Sequence, residues 1–416
     1  MNLVACFLTF LLFIGPVVLA VIGWPITGFS EKTTLLYPSF YILCIIVLRS
    51  FLKRDLIEKK FKYALWIVFV SFSAFVLNRL FGRETSKNVL FQAMALPAMY
   101  YVMYSLLENK YEIKIKIRNI IIVMFLANAL IAIYERMTLT LYFPYDLISS
   151  DFDFEFQEES IFRSSALLGH PLTFAFEMFI VMVFVLISNI NYKHKILLYF
   201  IGFVSVFCAN ARAAIMFAAG IFFLYSIRPL FQKEVSTSKR FSSVALLILF
   251  VFIGIYLFDA GLGGRFEERG DFSEDGSTLA RIEVWSIFSR YGLSNFLWGL
   301  PYSDVEKMAI SVLGMTHIEN WFILSTMIVG LIVTGIVTLL FVVVYRQATK
   351  AYDFFSSSLI FLGVIGLGST NNSFATGIPA LSIFFACCYA FSPIVIDEQS
   401  EVREVEEHEL GTESKS

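Results

Sequence analysis

Arginines, histidines and carboxylates are scarce in this chain, and the places where they gather define the chemistry open to it. Between Phe258 and Trp321 a polar stretch of roughly sixty residues interrupts an otherwise apolar sequence and carries Arg265, Arg269, Arg281, Arg290, His317 and Glu319. Arginine presents a planar fork of donors that matches phosphate oxygens, and it stays charged at any physiological pH. A second group lies upstream: Arg163, then Gly169-His170-Pro171, then Glu177, which shares a helical face with His170. A third is the turn around Ala209–Arg212, where Asn210 and Arg212 fall between two closely spaced apolar runs. A charge within an apolar run must face a cavity or a partner, because lipid does not solvate it. Arg212 and Glu177 are therefore candidate functional groups. The competing readings are a structural hydrogen bond for Glu177 and close helix packing for the alanines beside Arg212.

From Ser277 onward, Leu279, Ile282, Trp285 and Ile287-Phe288 form the apolar face of an amphipathic helix lying along a membrane interface, with Arg281 near its start. Basic charge at a helix N-terminus opposes the macrodipole, but a phosphate bound to both is doubly stabilised. His317, Glu319 and Asn320 stand at the mouth of the next apolar span, where partial desolvation shifts a pKa toward general-base use. A helix-capping cluster is the alternative there. Asp151-Phe152-Asp153 has the spacing by which sugar-nucleotide transferases hold a divalent ion, yet with Glu155, Glu158 and Glu159 it reads as a solvated acidic loop. No Walker A loop, zinc-spaced histidine pair or G-x-S-x-G elbow is present; His170, His194, His317 and His408 are scattered. Neither a metal nor a cofactor is expected.

The elements that must position these residues are apolar. Of 416 residues 58% are hydrophobic and only 16% charged, and mean hydropathy is +0.74, against about a quarter charged in soluble domains. The net charge of -2 gives no electrostatic case for nucleic acid. Cys6, Cys44, Cys208, Cys387 and Cys388 all sit in apolar runs and read as buried small hydrophobes. The runs are 3–23, 34–52, 62–81, 88–107, 116–136, 166–188, 195–210, 211–230, 241–258, 319–345, 354–370 and 375–396. They predict an all-α polytopic membrane bundle of about twelve transmembrane helices, with one large loop (259–318) between helices 9 and 10. The first run has no basic residue before it and reads as a retained helix rather than a signal peptide. With both termini inside, every inner loop is basic, from Lys53, Arg54, Lys59 and Lys60 to Arg346 and Lys350. The outer face carries mostly arginine, against the topology signal, so those arginines have another purpose. Domain 1–396 is thus one transmembrane unit, and 397–416 is an acidic, solvated cytoplasmic tail.

These residues together resemble the O-antigen ligase/polymerase family of bacterial inner membranes. Arg163 with Gly169-His170-Pro171, the Ala211-Arg212-Ala213 turn, Arg281 with Trp285 leading to Trp298-Gly299, and Asn320-Trp321 with Leu324, Gly330 and Gly335 are similar to that family's segments. They cover about 160–345. Ligases of the family place a histidine directly before Asn, Ser or Gln at the start of the tenth span. Here that slot holds Glu319-Asn320, with His317 two residues earlier, a pattern that looks more like a polymerase.

The resemblance implies a metal-independent, inverting glycosyltransferase of the bacterial cytoplasmic membrane, active at the periplasmic face on undecaprenyl-diphosphate-linked oligosaccharide. A hydroxyl of one repeat unit would attack the anomeric carbon of another and release undecaprenyl diphosphate. Arg163, Arg212 and Arg281, supported by Arg265 or Arg290, would hold the diphosphate; Glu319 or His317 would take the proton. Partners would include membrane lipid, a chain-length regulator and a flippase. The alternatives are a ligase transferring finished glycan to lipid A-core or protein, and a lipid-linked oligosaccharide flippase or other transporter.

Overall fold

The computed structural model describes residues 1–24, 36–53, 61–82, 86–143, 162–262, 284–290, 292–313, 318, 320–370, 374 and 380–393. Among them every regular element is helical and no strand occurs. In chain order the helices are α1 (Asn2–Leu11), α2 (Pro16–Val21), α3 (Pro38–Leu52), α4 (Lys62–Leu80), α5 (Leu96–Ser105), α6 (Tyr111–Thr138), α7 (Pro171–Ile187), α8 (Tyr192–Cys208), α9 (Arg212–Phe231) and α10 (Thr237–Asp259). Then follow α11 (Leu293–Trp298), α12 (Tyr302–Leu313), α13 (Trp321–Thr349), α14 (Phe354–Ile360) and α15 (Ala380–Phe391). Lys62–Leu80, Tyr111–Thr138, Arg212–Phe231, Thr237–Asp259 and Leu331–Thr349 are long and apolar enough to cross a membrane.

Among the described residues each apolar run of the sequence carries helix, and several runs are broken for local reasons. The first splits at Gly15, whose extended backbone leads into Pro16 at the start of α2, a position where proline's missing N–H costs nothing. In the fourth, Asn88–Ala95 winds as a π-helix before Pro97. Proline has no N–H to give the carbonyl four residues back and crowds it, which a widened turn relieves. The sixth begins at Pro171, later than its apolar composition suggests, because Ala166–Leu168 forms a separate 3-10 turn.

The tenth run breaks inside α13. Gly330 has φ 84° and ψ 157°, a conformation reserved for glycine. A Cβ there would collide with the Leu297 carbonyl, and one on Gly299 would collide with that of Ile328. The end of α11 thus fills the break, and the Leu300 N–H donates to the Met327 carbonyl at 2.8 Å.

α7 is the centre of the bundle. All its residues from Thr173 to Leu186 are buried, as expected of a helix that is apolar all round. It packs against α8, α9 and α15, and α15 in turn lies against α5 and α6. At its far end Phe184 meets Tyr352 and Phe384, with ring centroids 5.9 and 5.8 Å away. There Arg228 pairs with Asp353 at 2.8 Å and lies 4.4 Å from the centre of the Phe355 ring. Burial opposes the Asp353 carboxylate, but hydrogen bonds from Ser356 and the Arg228 guanidinium outweigh it and hold the carboxyl below its usual range.

The expected amphipathic helix winds as a 3-10 helix over the part that is described. Val284–Arg290 is a 3-10 helix, in which residues three apart share a face, so Val284 and Ile287 are buried and Trp285 is exposed. Residues 277–283 of that expectation lie outside the described residues, as does the 397–416 tail.

Candidate functional site

The segment 162–170 crosses the end of the bundle as a strap, tied down by groups on three other elements. On α6, the fully buried Glu135 carboxylate accepts the backbone N–H groups of Ser165 and Ala166, both at 2.9 Å, and that of Tyr142 at 3.0 Å. Asn128, two turns earlier on the same face, accepts the Leu167 N–H at 3.2 Å, and the Ser164 hydroxyl donates to the Ala132 carbonyl at 2.8 Å. Between α1 and α2, the Gly15 N–H donates to the Leu167 carbonyl at 2.8 Å. At the end of α8, the Ser164 N–H donates to the Cys208 carbonyl at 3.0 Å. Arg136 adds two clamps, donating to the Phe162 carbonyl at 3.2 Å and the Gly261 carbonyl at 2.9 Å.

This anchoring fixes Arg163. Its side chain is 8% exposed, and Nε donates to the Ala209 carbonyl at 3.2 Å. Ala209 begins the turn that leads to Arg212, the first residue of α9. Two arginines 49 positions apart in sequence are therefore held at one turn. Ala166 (φ 47°) and Asn210 (φ 50°) both adopt left-handed backbone here. Asparagine tolerates that conformation, but for alanine it costs about 1 kcal/mol or more, and the Glu135 carboxylate on the Ala166 N–H offsets it.

Three helix N-termini converge on this end. α7 starts at Pro171 after the extended His170, and α9 starts at Arg212 after Ala211; neither receives a side-chain cap hydrogen bond. α13 starts beside them, because Trp321 and Phe176 both pack on Phe374, with centroids 5.9 and 5.2 Å away. Its cap is Asn320, whose Oδ1 accepts the N–H groups of Phe322 and Ile323, each at 3.1 Å. The positive ends of three helices and the arginines thus share one face, an arrangement that attracts anions. From Trp321 an apolar groove of about 550 Å³ runs along α13 to Arg346, walled by Phe361, Val364, Leu381 and Phe384.

Comparison with models of known protein families finds no match, and comparison with curated proteins finds none either. The site must be read from its own geometry.

That geometry brings Arg163 to the turn before Arg212, while His170 precedes α7 and Asn320 precedes α13 at the same end of the bundle. Asn320 serves as a cap, the alternative reading given for its cluster. Gly169 and Pro171 set the start of α7. Glu177 lies apart from the strap, six residues and about 9 Å along α7, 1% exposed and without a hydrogen-bond partner for either oxygen among the described residues. Arg290 closes the 3-10 helix. Arg265, Arg281, His317 and Glu319 lie outside the described residues, as does the Asp151–Asp153 pair. No group of histidine, cysteine and carboxylate residues able to hold a metal ion occurs among the described residues.

Sequence reasoning missed Glu135, Asn128 and the role of Arg136. The signal was there: polar residues seven apart on one face of an apolar span, which lipid would not tolerate.

Proposed function

We infer that the chain is a membrane glycosyltransferase that polymerises undecaprenyl-diphosphate-linked repeat units at the face carrying the strap. The observation that carries this reading is that Arg163, Arg212 and three helix N-termini lie at one end of the bundle, the end at which an apolar groove begins beside Trp321. Arginine forks and uncapped N–H groups suit a diphosphate, and the groove suits an isoprenoid tail in the same ligand. Charge building on the departing diphosphate is stabilised by donors already in place, which lowers the barrier without rearrangement. The strap keeps Arg163 from swinging away, so little entropy is lost when the anion binds.

Glu319 or His317, next to the Asn320 cap in sequence, takes the proton of the attacking hydroxyl. In this reading the chain makes about twelve crossings with both termini cytoplasmic, and this face would lie in the periplasm of a bacterial inner membrane. A chain-length regulator and a flippase complete the partners.

The test is glycan profiling of cells carrying Arg163→Ala or Arg212→Ala at normal protein level. Single repeat units in place of polymer support the reading. Unchanged polymer in both variants overturns it, and long glycan accumulating on its carrier lipid indicates a ligase instead.

A further inference from the structure

At the opposite end of the bundle from the strap, a cavity of about 310 Å³ lies between α4, α5, α13 and α15. Its walls include Tyr63, Tyr101, Tyr104 and Tyr389, and Glu108 and Lys350 also line it. The Tyr104 and Tyr389 rings stack with centroids 5.4 Å apart. Three of the four hydroxyls are already engaged: Tyr101 donates to Gln347 Oε1 at 3.3 Å, Tyr389 to the Leu107 carbonyl at 2.9 Å, and Tyr104 bonds Thr9 Oγ1 at 2.9 Å. Tyr104 is stacked between Tyr100 and Tyr389, so the ring surface at the cavity comes from Tyr63, Tyr101 and Tyr389. Electron-rich ring faces with a nearby carboxylate are the usual receptor for an organic ammonium group.

The charges at this cavity are of both signs. Lys350 Nζ lies 3.9 Å from Glu108 Oε1, at the outer limit of an ion pair, with side chains 67% and 47% exposed. The cavity also sits where α4 begins and where α5, α13 and α15 end. Lys62, Lys110 and Lys350 gather at the same boundary between apolar helix and polar loop. That is the depth of lipid headgroups.

We propose that this cavity binds the headgroup of an amine-bearing zwitterionic phospholipid, with the ammonium against the tyrosine rings and Glu108 and the phosphate on Lys350. The site is independent of the strap and of the transferase reading. A phosphate one side and an ammonium the other, a few ångströms apart, match the Glu108–Lys350 pair, which opens to receive them. An anionic headgroup without an amine satisfies Lys350 but places nothing on Glu108.

The experiment uses the full chain, purified and stripped of lipid. Short-chain phosphatidylethanolamine, short-chain phosphatidylglycerol and free phosphoethanolamine are titrated, read by native mass spectrometry and by thermal midpoint. The expected result is about tenfold tighter binding of phosphatidylethanolamine than of phosphatidylglycerol, the scale of one charge-assisted contact. Glu108→Gln, at an exposed position that leaves the fold intact, abolishes that preference and leaves phosphatidylglycerol binding unchanged. Tyr63→Leu weakens phosphatidylethanolamine alone. Competition by phosphoethanolamine shows recognition of the head by itself, and its failure beside lipid binding shows that acyl chains contribute; both support the site. Equal binding of the two lipids by the native chain, or full preference retained in Glu108→Gln, overturns it.

Discussion

Removing the Glu135 carboxylate should release the strap. In Glu135→Ala three backbone N–H groups, of Ser165, Ala166 and Tyr142, lose an acceptor that is 0% exposed. Hydrogen bonds to a charged acceptor contribute about 1.5–3 kcal/mol each. They are not additive, and water partly re-satisfies the amides once the strap lifts, so the net loss is about 3–5 kcal/mol, as for breaking a buried charged network. The Ala166 backbone, at φ 47°, then has less to hold it and relaxes. Because every 1.4 kcal/mol is a factor of ten, the open strap becomes about 10² to 4 × 10³ times more populated. Hydrogen exchange of the peptide containing 162–170 reads this directly, and trypsin cleavage after Arg163, buried in the native chain, reads it independently. Glu135→Gln retains one acceptor oxygen but sets an amide NH₂ against the other donors, so it should fall between the two. Native-like exchange in Glu135→Ala, with no new cleavage at Arg163, would refute the argument that this carboxylate holds the strap.

Gly330→Ala should fail to accumulate as a folded protein, since it combines a left-handed backbone with a collision at Leu297; Gly335→Ala on the same helix, where a Cβ meets nothing within 4 Å, should be tolerated. Size-exclusion profiles of the two variants decide the point. Asp353 has a depressed carboxyl, so its contribution is present above the unfolded carboxylate value of about 3.9 and is lost as pH falls through the lower folded value. The gap in thermal midpoint between the native chain and Asp353→Asn should therefore be constant near neutrality and close below about pH 4; a gap that persists in acid contradicts the assignment. Glu177→Met keeps the volume while removing a buried carboxyl whose oxygens lack partners among the described residues, and it should raise stability by about 1–3 kcal/mol. Loss of polymer in that variant would instead place Glu177 in the reaction.

The helices were legible because their cause is local. Among the described residues each apolar run of the sequence carries helix, and even its breaks sit at residues with a marked backbone preference, Pro16, Pro97 and Pro171 among them. What could not be read is the pairing of distant backbone. Nothing in the periodicity of α13 separates Gly330 from Gly335, yet one is threaded by the end of α11 and the other faces open space. Val284–Arg290 is helical as its apolar residues suggested, but their spacing satisfies both the α and the 3-10 period over so short a stretch and does not tell them apart.

The same distinction runs through the site. Arg163 and Arg212 stood out because a charge in an apolar sequence requires an explanation, but their meeting depends on Ser164 and Arg163 reaching the Cys208 and Ala209 carbonyls. Glu135 shows why a carboxylate so close to arginines does not cancel the positive face in the proposed reading. Both its oxygens are occupied by the amides of the strap and Tyr142, which fixes its charge beneath the backbone. The strap therefore acts as a spacer: its N–H groups take up the glutamate, and its arginine is left at the turn where α9 begins. On this logic the sign of the face is set by which group is used for folding. The carboxylate that could have neutralised it is the one that builds it.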